Sequence, residues 1–150
     1  MTAEVIDHAS RGVAGPANAT ATVVATFGVV AALAGIEHGI GEIPQGSIKP
    51  VALVIESWPH TPAFAVLAGE PAMTIVPNLL ATGILTILAA VALGAWSVGS
   101  AGRPHRGVGM IVLSVLLLVV GGGFGPPLVG IIAGIAVMGS NRRPPVLRQI

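Results

Sequence analysis

Long apolar stretches alternate with short polar patches, and six of the seven basic residues lie in three of those patches. Arg11 precedes the first apolar stretch. Arg103 and Arg106 separate the second from the third, and Arg142, Arg143 and Arg148 follow the last. Charged residues make up 9% of the 150, against roughly 25% in soluble domains. So few charges cannot coat a globular surface. The chain therefore reads as one all-α integral membrane domain, residues 1–150, whose partner is the lipid bilayer.

The apolar pattern predicts a four-helix transmembrane bundle with spans at about 20–40, 72–97, 107–123 and 126–140. In the first span Thr20, Thr22 and Thr26 are polar, and a threonine hydroxyl can bond back to its own helix. The third and fourth spans are short. Gly121 to Gly125, interrupted only by Phe124, and then Pro126 and Pro127 form a Gly/Pro tip between them. A tight helical hairpin fits, with a proline in the first turn of the last helix, where its missing N–H costs nothing. A re-entrant hairpin that stops inside the bilayer is the rival reading.

Either hairpin returns to the side it left, so the positive-inside rule sets the orientation. Both termini, 1–18 and the basic tail 141–150, are expected in the cytoplasm, in a plasma membrane. Lys49, Glu42, Glu56 and Glu70 then collect outside. Trp96 and Trp58 fall near opposite interfaces, where indole rings favour the headgroup level. Residues 1–18 contain Glu4, Asp7, His8 and Arg11, which is too long and too acidic for the start of a signal peptide.

The outer loop, 41–71, is long for a structureless connection. Two short helical or re-entrant pieces are expected in it. Val51–Ser57 follows Ser47 and Pro50. Ala63–Ala68 follows Thr61 and Pro62 and closes at Gly69.

Glu37, His38 and Glu42 form the dense ionisable cluster beside a span. His38 and Glu42 are four apart and share a helix face, with Glu37 about 100° away. Ionisable groups in a bilayer usually face the bundle or a water-filled cavity. Gly39 and Gly41 argue the other way, for a helix that ends at Ile36 and leaves the charges at the interface. Asn78, after Pro77, is expected to lie early in the second span, at a kink, as packing glue or as a further polar ligand. Glu37, His38, Glu42 and Asn78 are thus the candidates for binding an ion, a proton or a small solute. His38, Glu42, Glu56 and His60 are the candidates for a divalent metal such as zinc, although the spacing specific to zinc proteases is missing. A b-type haem is disfavoured, because no histidine lies well inside a span.

Close-packing pairs of small residues occur at Gly35/Gly39 and Gly130/Gly134, and they suggest a homo-oligomer joined through those faces. There is no basic stripe and no aromatic platform, which argues against nucleic acid. The Gly-rich tip lacks the Lys-Ser/Thr of a nucleotide loop. Asp7 is the only aspartate and falls on the side away from His38 and His60, against a hydrolytic triad. Cysteine is absent, which removes disulfides and thiolate metal sites. Three functions remain: an ion, proton or solute site near the outer face, a non-catalytic assembly subunit, and a membrane-embedded His/Glu metalloenzyme. The first is favoured, since charge is scarce in this chain.

Overall fold

The computed structural model describes residues 16–67 and 69–141. The segment with Arg11 and the tail with Arg142, Arg143 and Arg148 lie outside the described residues. The protein is mostly helical. Among the described residues there are α1 (Pro16–Glu42), α2 (Leu79–Gly99), α3 (Arg106–Val119) and α4 (Gly125–Asn141). Between α1 and α2, residues 43–78 form a cap. It holds a 3-10 turn (Ile43–Gln45), β1 (Val54–Glu56), a 3-10 helix (Pro62–Leu67) and β2 (Pro71–Met73).

Two stretches are long and apolar enough to cross a bilayer: α1 with its 3-10 turn, and α2, with mean hydropathies of 2.0 and 2.1. α3 and α4 are shorter apolar helices of 14 and 17 residues, or ~21 and ~25 Å. The four pack in a ring, α1 on α2, α2 on α3, α3 on α4 and α4 on α1. Apolar side chains point outward from each: Val23, Phe27, Val30 and Leu33; Leu88 and Val91; Val112 and Val115; Leu128, Ile132 and Ile135. Polar groups are buried instead, among them Glu42, Thr82, Thr86, Ser97, Ser114 and Arg106. This inverts the arrangement of a water-soluble fold.

The interior mixes alanines with a few larger apolar side chains. Ala31, Ala89, Ala90, Leu93, Leu117 and Val120 form one cluster, and Val24, Met110, Ala133 and Val137 another. α1 and α2 meet backbone to backbone: a Cβ on Gly39 would lie 2.7 Å from Gly83 O, and one on Gly83 2.6 Å from Gly39 O. α3 and α4 meet the same way through Gly107 and Gly134. Gly35 packs on Ala90 and Leu117, and Gly130 on Ser114. The two glycine faces expected to join copies are therefore filled within the chain.

The second helix starts later than the pattern implied. Residues 71–73 are a strand, not the start of a span, and α2 begins at Leu79. Asn78 is its N-cap, with extended backbone and Oδ1 accepting from Ala81 N at 3.0 Å. The other free N–H groups of the first turn are met by the cap: Leu79 N donates to Ile48 O and Leu80 N to Gly46 O, both at 3.0 Å. Pro77 therefore precedes the helix and kinks nothing.

The cap is not all-helical either. Val51–Ser57, expected as a helix, contains β1, because Val54-Ile55 is a β-branched pair with a strand partner. The antiparallel register is Val54↔Met73, Ile55↔Ala72 and Glu56↔Pro71. Ser57 N to Glu70 O (3.1 Å) and Trp58 N to Gly69 O (2.9 Å) extend the ribbon. The second expected piece is present as the 3-10 helix Pro62–Leu67, after Thr61 and before Gly69. Beyond β2, Thr74 bridges Val120 and Ile75 N donates to Val119 O at 3.0 Å, so the cap is tied to the tip of the α3–α4 hairpin.

At the opposite end Arg106 is buried. Its Nη2 donates to Ser97 O (2.6 Å), in the last turn of α2, and to Ala21 O (3.2 Å) in α1. A cation at a helix C-terminus complements the partial negative charge there. Trp96 Nε1 donates to Arg106 O at 3.1 Å, and the Arg103 guanidinium lies 5.9 Å from the Trp96 ring centroid.

Candidate functional site

α1 does not end at Ile36. Gly39 and Gly41 sit inside the helix, where bare backbone lets α2 and the cap approach: Gly39 meets Gly83 and Ile87, and Gly41 meets Ser57 and Trp58. The helix stops at Glu42, ahead of Pro44. This extra turn carries His38 and Glu42 under the cap instead of leaving them at its edge.

His38 is 7% exposed. Its Nδ1 lies 3.0 Å from Ala34 O, one turn back, and 3.3 Å from Glu37 Oε2. Both neighbours are acceptors, so Nδ1 carries the ring proton. Nε2 points into the site, 3.5 Å from Glu70 Oε2. A Cβ on Gly123 would collide with His38 Nε2. Gly123 has a φ of 71°, so the tip needs glycine there for space and for backbone alike.

Glu70 completes the group, and its approach depends on an uncommon backbone. Its φ is 55°, next to Gly69 at 75°. A non-glycine residue in that region costs about 1–3 kcal/mol, and such residues cluster at functional sites. Glu37 Oε1 and Glu70 Oε2 are buried with no hydrogen bond among the described residues. One ligand atom from each of Glu37, His38 and Glu70 lies within 4.8 Å of the others. The group lines a cavity of about 420 Å³ between α1, the cap and the start of α4, with Phe124 and Pro126 on the far wall.

The metal set expected from sequence is not the one that assembles. Glu56 and His60 are exposed and line a separate cavity of about 330 Å³, beside Trp58. The Trp58 ring stacks on Phe64, centroids 5.1 Å apart. Glu42 turns toward α2 and the hairpin tip, bonded to Ser57 and Thr86. Asn78 is occupied in capping α2. Of the expected residues, Glu37 and His38 come together. The nominal 100° between neighbours on a helix is bridged by the Glu37 side chain bending back to Nδ1. Glu70 was not among the expected site residues. Its sequence signal is slight: an acid between Gly69 and Pro71, two residues that restrict the backbone on either side.

The group supplies one imidazole nitrogen and two carboxylates. That is a donor set for a borderline cation such as zinc. The Nδ1–H to a backbone carbonyl is how proteins usually fix a ligating imidazole, leaving Nε2 to face the metal. No family model matches the chain, and neither does any curated protein or solved structure.

Proposed function

We propose that the protein is a four-span membrane protein that binds a cation, a divalent metal or a proton, at Glu37, His38 and Glu70. One observation carries the binding. With Nδ1 protonated, a neutral His38 presents the bare lone pair of Nε2 to Glu70 Oε2 at 3.5 Å. Two acceptors at that distance, below 20% exposure on both side chains, need a positive charge between them. A proton on Nε2 supplies it, and so does a metal. A tetrahedral zinc sets its ligand atoms roughly 3.3 Å apart, close to this spacing.

The outward apolar stripes on all four helices support four crossings. So does the depth of the hairpin. Arg106 reaches Ala21, near one end of α1, and Gly121 meets Glu42 at the other. The segment from Arg106 to Gly121 thus touches α1 towards both of its ends, which favours full spans over a re-entrant hairpin. By the positive-inside rule, Arg103 and Arg106 favour the cytoplasm for that end and the exterior for the cap, and the cavity would then open to the exterior. The cavity also leaves room beside the three ligands for a water or substrate, as catalytic zinc sites do. That space keeps a metalloenzyme as the second reading.

Binding is tested on the full chain in detergent. One equivalent of Zn²⁺ per chain is expected by calorimetry, weakened at least tenfold in His38→Ala and in Glu70→Gln and unchanged in His60→Ala. If the cation is a proton, zinc does not bind, and NMR of the ring-labelled protein shows a hydrogen-bonded Nε2–H on His38 whose resonance moves in Glu70→Gln. A protein that binds no zinc and whose His38 Nε2 resonance ignores Glu70 discards the reading.

A further inference from the structure

Glu42 closes α1 one turn beyond His38 and is fully buried. The groups that face it are uncharged: Ser57 from the cap, Thr82 and Thr86 from α2, Val120 and Gly121 from the hairpin tip. Among the described residues no basic side chain forms an ion pair with it; the ion pairs in this region belong to His38 with Glu37 and Glu70. A carboxylate here would be an unpaired buried charge. It would also lie at the C-terminal end of α1, where the helix dipole disfavours an anion.

The hydrogen bonds can be counted proton by proton. Ser57 Oγ donates to Glu42 Oε1 at 3.1 Å. Thr86 Oγ1 lies 2.7 Å from Val120 O and 3.3 Å from Glu42 Oε2. A threonine hydroxyl has one proton to give. Val120 O is an end carbonyl of α3, accepts only, and is the nearer partner, so the proton goes there. Thr86 Oγ1 then turns a lone pair toward Glu42 Oε2. The contact is attractive only if Oε2 itself carries a proton.

We propose that Glu42 is a proton-binding site, a neutral carboxylic acid whose Oε2–H donates to Thr86 Oγ1, which donates in turn to Val120 O. The site is separate from the cation site and does not depend on it. The two are mechanically joined, because Ser57 bonds Glu42 through its hydroxyl and Glu70 through its backbone, N to O at 3.1 Å. A shift of the cap that moved Ser57 away, or of the tip that moved Thr86, would let water reach the carboxyl and release the proton.

Infrared difference spectroscopy of the full chain in lipid vesicles tests this at neutral pH. A protonated carboxyl C=O band is expected, down-shifted in D₂O, lost in Glu42→Gln and retained in Glu37→Gln and Glu70→Gln. Gln keeps both bonds, its amide N–H replacing the acid O–H, so the variant should fold. If it does not, Thr86→Val serves instead: it removes the acceptor, and the band must move in frequency. No protonated band, a band lost in Glu70→Gln instead, or a band unmoved in Thr86→Val overturns the proposal.

Discussion

Thr86 and Arg106 show what a single polar side chain does in a mostly apolar interior. Each satisfies carbonyls at a helix end that lipid would leave bare. Thr86 closes Val120 O of α3, and Arg106 closes Ser97 O of α2. Arg106→Met strips both of its carbonyl bonds while keeping the apolar stem. It should lower stability by about 2 kcal/mol, the scale of a buried charged hydrogen bond, read as a fall in the unfolding midpoint in detergent. At the cluster, residue type alone was informative: Glu37 and His38 stood out because ionisable groups beside a span are rare. Their partner did not stand out. Glu70 looked like any acid of an exposed loop until two successive positive-φ residues turned it toward His38.

Helix starts and stops depend on who answers the free backbone groups. α2 begins where Asn78 and the segment 46–48 meet its first N–H groups, several residues after its apolar pattern begins. Asn78→Ala should cost about 1 kcal/mol and Asn78→Asp should cost little, since aspartate caps equally well; thermal unfolding of the two variants separates capping from any ligand role. Hydropathy could not place this boundary, because Pro71-Ala72-Met73 is as apolar in a strand as in a helix. The same ambiguity hid β1. Gly39 and Gly41 misled in the opposite direction. Glycine within a helix often marks its end, but here it marks a close crossing. Gly39→Val should force α1 from α2, lowering the unfolding midpoint and weakening any metal binding at His38 one position away.

Across the whole molecule, one end carries Arg103 and Arg106, and at the other the end of α1 meets the cap, bringing Glu37 and Glu42 near Glu70. Because the chain has no cysteine, single introduced thiols report sidedness cleanly. Ser47→Cys, exposed in the cap, should react with a membrane-impermeant maleimide in intact cells. Ala101→Cys, exposed in the α2–α3 turn, should react only after permeabilisation. The reverse pattern would invert the orientation and place the proposed cation site inside. The alternation of apolar stretches and basic patches determined, unaided, the helical class, the four apolar segments and the end at which acids gather. All three follow from local properties, since hydropathy and charge act wherever a residue sits. Only the tertiary structure decided that Glu37 and His38 meet Glu70, that Glu42 turns away to Thr86, and that the glycine faces are used up within the chain. Those outcomes depend on distances between segments far apart in sequence, set by a ribbon and a hairpin tip that meet over the end of α1.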